Sequence, residues 1–176
     1  MIVGVDIDTW KLTLCAVSES MVAWETATLR RRGESLLDAI LGTQHAVPVA
    51  VTRLGIASAE TDPTEYHVER GRGQHRKADF DLGAIYGATC VALGRRTPDA
   101  HVASMDVPDW KRAVTAAVGI KTARGRPGNA NVPKVVANEA CRTLLRERGL
   151  DPSRLSPDEL DAFGIAYAAS AVVVPA

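Results

Sequence analysis

The chain opens on a run in which apolar positions occupy both faces of an extended segment. Over residues 2–8 (Ile-Val-Gly-Val-Asp-Ile-Asp), Val3 and Val5 fall on one face and Ile2 and Gly4 on the other. A strand apolar on both sides belongs at the centre of a sheet covered on both sides. Residues 10–18 and 21–29 read as two further strands, joined by short turns at Asp8-Thr9 and Glu19-Ser20. Three consecutive strands with tight connections predict an antiparallel meander.

The periodicity then turns helical. Residues 35–41 have helical spacing that breaks before Pro48, and residues 48–59 predict a second helix with Pro48 in its first turn. A short strand is expected over residues 66–69, after the turn signal Thr61-Asp62-Pro63. A helix over 79–93 closes at Gly94, a strand spans 100–104, and a helix covers 108–118. Residues 119–131 form a loop containing Gly, Pro and Asn, followed by helices over 132–148 and 157–174. The order predicts an α/β domain with one mixed five-stranded sheet, three strands antiparallel and two parallel, and helices on both faces. With 176 residues the chain reads as one domain, long enough to bury about 70% of its unfolded surface.

Composition narrows the class. Hydrophobic residues make up 46% and charged residues 24%, as in ordinary globular proteins. Lys+Arg and Asp+Glu are both 21, so any nucleic-acid partner has to be argued from where the charges lie. Cys15, Cys90 and Cys141 are odd in number and widely spaced, which points to a reducing cytoplasm. Met-Ile-Val-Gly-Val-Asp at the start lacks the basic region and long apolar stretch expected of a signal peptide, and the longest apolar run, residues 162–174, is shorter than the ~20 residues of a membrane span. A nucleotide cofactor is not expected. There is no P-loop, and Arg76 stands at the third glycine position of a dinucleotide fingerprint begun at Gly71 and Gly73.

Four acids carry the candidate chemistry. Asp6 ends the most buried strand, either as a turn residue or as a site carboxylate; Asp8 suits the turn better. Glu69 ends the 66–69 strand, either paired at the surface with Arg70 or Arg72 or brought beside Asp6 by a parallel strand. Ser156 and Glu159 match a capping box with Pro157 in the first turn, and acids such as Asp158 are favoured at a helix N-terminus. Asp161 is different: it shares a stripe with Ile165, Ala168 and Val172, so it points where the helix buries its apolar face, with Asp158 on the same side. Residues 155–176 contain no Lys or Arg, which makes a metal ion the expected counter-charge. Acids without a His or Cys cluster suit Mg²⁺ or Mn²⁺. Two such ions about 4 Å apart can activate a water and stabilise the leaving oxygen of a phosphodiester.

Basic residues flank these acids. Arg70, Arg72, Arg76 and Lys77, with His75 among them, follow Glu69 directly. Lys111, Arg112, Lys121, Arg124, Arg126 and Lys134 lie in a stretch from 110 to 138 that holds no acid. The two segments read either as a track for a phosphate backbone or as solvated loops, and their position beside the acids favours DNA. Aromatic residues are too few for an extended single-strand platform, and Trp110 reads either as a base-stacking side chain or, the favoured expectation, as one in the core or in helix packing.

Val3-Gly4-Val5-Asp6, Val68-Glu69 and Asp158-x-x-Asp161-Ala162 together resemble the RuvC family of Holliday-junction resolvases, particularly the RuvC-like proteins of actinobacterial phages. The likeness runs over nearly the whole chain. Pro108-Asp109-Trp110-Lys111 is similar to the family's Pro-x-x-Lys element, and residues 129–136 to its Ala-x-Lys-x-x-Val element. The resemblance implies an RNase H-like fold, a metal-binding tetrad of Asp6, Glu69, Asp158 and Asp161, and basic groups Lys111 and Lys134 near the scissile phosphate. It also implies a homodimer, packed through the 79–93 helix, that nicks two strands of a four-way junction. The small residues Gly83, Ala84, Gly87 and Ala88 would permit close helix approach there. Two departures stand out. Arg72 replaces an aromatic residue common three places after the glutamate, and Asp6-Ile7-Asp8 replaces Asp-Pro-Gly. They are read as relaxed sequence specificity, extending to forks or flaps. The competing expectations are an RNase H-fold nuclease acting on flaps or RNA–DNA hybrids, and a non-catalytic branched-DNA-binding or scaffolding protein.

Overall fold

The structure is a computed structural model describing residues 1–55, 65–70, 76–120 and 132–173, with the side chains of 76–78 and 172–173 excepted. Strands β1 (Ile2–Ile7), β2 (Lys11–Val17) and β3 (Val22–Thr28) form the expected meander. β4 (Glu65–Arg70) and β5 (His101–Asp106) extend it in parallel, giving the order β3-β2-β1-β4-β5. β1 is the central strand, as its two apolar faces require.

The pleat sorts side chains between two cores. Val3, Val5, Leu12, Leu14, Tyr66 and Val68 pack with helices α1 (Leu36–Arg53) and α2 (Arg76–Arg96) on one face. Cys15, Val17 and Trp24 face the other side, covered by α3 (Val107–Ala117), α4 (Lys134–Glu147) and α5 (Pro157–Val173). Residues two apart on a strand share a face. Asp6 therefore follows Gly4, Glu69 follows His67 and Lys11 precedes Thr13, all on the α5 side. None of the described helices is long and apolar enough to cross a membrane.

Three sequence expectations need correction. The 35–41 and 48–59 helices are one continuous helix with Pro48 inside it, ending before Gly55 at φ +73°. Its buried stripe Ala39, Thr43, Val47, Ala50 and Val51 runs through the proline, and that packing outweighs the lost backbone hydrogen bond. A capping box between Ser35 and Asp38 starts it. The expected helix over 79–93 begins three residues earlier, at Arg76, and runs through Gly94 to Arg96. Third, β5 extends to Asp106 and passes directly into α3.

Candidate active site

Gly4 sets the geometry. A Cβ there would stand 2.1 Å from the Ala162 carbonyl oxygen and 2.6 Å from the Ala166 nitrogen. Only glycine lets the α5 backbone press against β1, two residues before Asp6. The first turn of α5, held by the Ser156–Glu159 capping box, then delivers Asp158 and Asp161 to the end of β1. Trp24 Nε1 donates to the Glu159 carbonyl oxygen at 3.0 Å and fastens the same turn to β3. Parallel pairing of Val5 with Val68 brings Glu69 alongside.

The acids feel one another. Burial raises the Asp6 pKa well above its ordinary value, and the charges of Glu69, Asp161 and Asp158 raise it further. No hydrogen bond reaches the Asp6 carboxylate among the described residues. Burial also raises Glu69, helped by Asp161 and opposed by a hydrogen bond from Trp110 Nε1 to Glu69 Oε2 at 2.9 Å. Asp161, almost fully buried, is raised by burial and held back by Lys134. Three acids in one small volume each disfavour the others' charge.

Counter-charges come from other elements, which corrects the inference drawn from the lysine-free 155–176 segment. Lys134 Nζ lies 2.6 Å from Asp161 Oδ2, and Lys11 Nζ lies 2.5 Å from Asp158 Oδ2. Burial alone would lower Lys134, but its contact with Asp161 prevails and its pKa is raised. The Asn138 amide nitrogen, in the orientation satisfying both neighbours, donates to Asp161 Oδ1 at 2.9 Å and to the Lys134 carbonyl at 3.2 Å. Lys111 lowers the pKa of both Glu69 and Asp161, and its ammonium stands 5.6 Å from the Trp110 ring centroid.

The expected residues thus separate into groups. Asp6, Glu69, Asp158, Asp161, Lys111 and Lys134 converge. Arg70 is exposed at the end of β4, and Arg112 is exposed and paired with Asp109. Arg76 and Lys77 begin α2. Arg72, His75, Lys121, Arg124 and Arg126 lie outside the described residues. Asp8 is exposed and accepts hydrogen bonds from Thr9, as a turn residue does.

Sequence reasoning missed Lys11, Asn138 and the part played by Trp110. The signals were modest: Lys11 is two residues from Thr13, the partner of Asp6 in the β1–β2 register, and Asn138 is one helical turn beyond Lys134. Trp110 is fully buried on α3, as expected, and its ring fills the space above Gly164, where a Cβ would lie 2.6 Å from Trp110 Cε3.

The donor set fits a hard divalent cation. All four candidate ligands offer carboxylate oxygens, and Asp6 and Glu69 have no ion-pair partner among the described residues. In their present positions no three acidic, His or Cys side chains among the described residues form a ready cage, and Asp158 and Asp161 are turned to lysines. Holding an ion would require those two carboxylates to exchange a lysine for it.

No protein-family model and no curated protein sequence matches the chain. Solved structures do. The chain aligns with Thermus thermophilus RuvC in complex with a Holliday junction substrate at TM-score 0.67 and 17% identity, covering 96% of this chain and 91% of that one. Another Thermus thermophilus RuvC structure aligns at TM-score 0.62 and 18% identity, over 96% and 92%. The yeast mitochondrial Holliday junction resolvase aligns at TM-score 0.57 and 11% identity, over 95% and 77%. The mixed five-stranded sheet with helices on both faces is the RNase H-like fold of RuvC.

Proposed function

We propose that this chain is a divalent-metal-dependent endonuclease of the RuvC kind, cleaving DNA phosphodiesters at four-way junctions. The observation that carries the reading is the convergence of Asp6, Glu69, Asp158 and Asp161 from β1, β4 and α5 onto one sheet edge, where the charges of the other three raise the Asp6 pKa and that of Asp161 raises Glu69. The likeness in fold to resolvase structures adds support. The four carboxylates would hold two Mg²⁺ or Mn²⁺ ions, which supply activation of a water and stabilisation of the leaving oxygen. Lys111 and Lys134 would then face the scissile phosphate. Arg70, with the basic residues that follow it, would position the backbone.

In this reading the 176 residues are one nuclease domain acting as a homodimer in the cytoplasm. The outer side of α2 suits self-association. Phe80 is 70% exposed and Val91 50% exposed, and a Cβ on Gly83 or Gly87 would meet nothing within 4 Å. Forks, flaps and RNA–DNA hybrids are the neighbouring substrates, and kinship with phage proteins rests on the sequence motifs.

The second reading is a branched-DNA-binding scaffold without catalysis. The Lys11–Asp158 and Lys134–Asp161 pairs favour it, because they neutralise two acids with no ion. Labelled four-way junction, flap, plain duplex and RNA–DNA hybrid, each incubated with the protein in Mg²⁺ or Mn²⁺, separate these readings. The resolvase reading expects paired nicks near the branch point. Cleavage confined to flap or hybrid would reassign the substrate, and junction binding without cleavage in either metal would establish the scaffold.

A further inference from the structure

A second basic cluster stands at the same sheet edge as the acids, on the side away from β4. β3 ends at Thr28, and the chain continues Leu29-Arg30-Arg31-Arg32-Gly33 before the cap of α1. Trp10, immediately before β2, faces this run. Its carbonyl oxygen accepts from Leu29 N at 2.8 Å and from Arg30 N at 3.4 Å, so the two segments are fixed together. The Arg30 guanidinium lies over the Trp10 ring, 4.4 Å from its centroid.

No ion pair joins Arg30, Arg31 or Arg32 to a carboxylate among the described residues. The two acids that follow are occupied by backbone: Glu34 accepts from Arg31 N, and Asp38 accepts from Ser35 N at 2.7 Å. Arg31 and Arg32 are exposed, and Trp10 remains 41% exposed although a guanidinium lies on it. Buried Arg30 Nε has no hydrogen-bond partner, so stacking rather than a carboxylate holds this side chain. A partly exposed indole beside guanidiniums that pair with no carboxylate among the described residues is the chemistry that takes a nucleic-acid strand: a base or sugar on the ring, phosphates on the arginines. The cluster also adjoins the site, since Lys11, the next residue after Trp10, holds Asp158.

We propose that Trp10, Arg30, Arg31 and Arg32 form a DNA-strand contact flanking the acids on the β3 side, across the site from Arg70 at the end of β4. The substrate would then be gripped on both sides of the reacting phosphate. This rests on the nuclease reading, because it takes DNA as the partner.

The test is binding of a fluorescently labelled four-way DNA junction in EDTA, followed by anisotropy across a salt series. Arg31→Gln combined with Arg32→Gln is expected to lower the slope of log affinity against log salt by about 2, one unit for each phosphate contact. Trp10→Leu is expected to weaken binding about tenfold at fixed salt, the lower range for one lost base stack, with the slope unchanged. Arg148→Gln, at the opposite sheet edge beside Ser18, is the charge control and leaves affinity unchanged. Thermal melts of each variant establish that it is folded. Wild-type slope and affinity in folded Arg31→Gln/Arg32→Gln and Trp10→Leu proteins would overturn this contact while leaving the nuclease reading intact. Failure of the wild-type protein to bind any junction would overturn both.

Discussion

Trp110 Nε1 on α3 donates a 2.9 Å hydrogen bond to Glu69 Oε2 at the end of β4, tying a fully buried indole to a candidate metal ligand. The indole itself is seated on Gly164 of α5, so one side chain links the two elements that carry Glu69 and Asp161. Trp110→Phe keeps most of the bulk and removes the donor. A hydrogen bond to a charged group contributes about 1.5–3 kcal/mol, so the melting temperature is expected to fall by roughly 5 °C. Because the bond lowers the Glu69 pKa, its loss raises that pKa further, and the acidic limb of the cleavage pH profile moves to higher pH. Differential scanning fluorimetry and single-turnover cleavage across pH read both effects.

Gly4 and Gly83 are expected to respond oppositely to alanine. At Gly4 the new methyl would collide with the α5 backbone, which cannot yield as a side-chain tip does. Gly4→Ala therefore lowers stability by about 3 kcal/mol or more and pulls Asp158 and Asp161 away from Asp6. At Gly83 the methyl meets nothing within 4 Å, and alanine is favoured in a helix, so Gly83→Ala raises stability by up to ~1 kcal/mol. Urea unfolding of the two variants checks the contrast.

The acid cluster has a pH signature. Asp6, Glu69 and Asp161 have folded-state pKa values above the ordinary 3.8 for Asp and 4.5 for Glu. Each binds its proton more tightly folded than unfolded, so its contribution favours folding below those ordinary values. That contribution is lost as pH rises through the raised folded values. In metal-free buffer Asp6→Asn removes one of the repelling charges. Its melting temperature should exceed the wild type's by a few degrees at about pH 8, with a smaller gap near pH 5. Mn²⁺ should raise the wild-type melting temperature and leave Asp6→Asn unmoved. A variant no more stable than wild type at either pH would count against the repulsion.

Lys134→Met should act the other way. It strips the almost fully buried Asp161 of its cation, lowering metal-free stability by about 1–2 kcal/mol, the modest figure reflecting a half-exposed lysine. Mn²⁺ is expected to recover much of this loss if the ion takes the place of the ammonium. Melting curves with and without Mn²⁺ decide it.

Self-association through α2 makes its own demand. Phe80→Glu, on an exposed apolar position, should convert a dimer to monomer in sedimentation velocity without lowering the protomer's helix content. A wild-type protein that sediments as a monomer at high concentration would remove the dimer from the reading.

The strands were legible because alternation and two-sided burial are strong local signals: Val3 and Val5 against Ile2 and Gly4 named β1 as central, and the pairing bore it out. Three of the acids stood out for a similar reason, since Asp6 and Glu69 end buried strands and Asp161 interrupts a buried stripe. The helix around Pro48 was misread because the proline's local penalty is visible in sequence and the packing that overrides it is not. The lysine partners were hidden for the same reason. Lys11 and Lys134 lie 147 and 27 residues from the acids they hold, and only the sheet register and the packing of α4 on α5 bring them together.

The most direct measurement is cleavage of a labelled four-way DNA junction by wild-type protein and Asp6→Asn, each in Mg²⁺, Mn²⁺ or EDTA, with binding followed in parallel. Paired nicks near the branch point that require the metal, and that disappear in Asp6→Asn while junction binding survives, are the expected result. Equal cleavage in EDTA, or full activity in Asp6→Asn, would contradict a metal site built on the carboxylate near the end of β1.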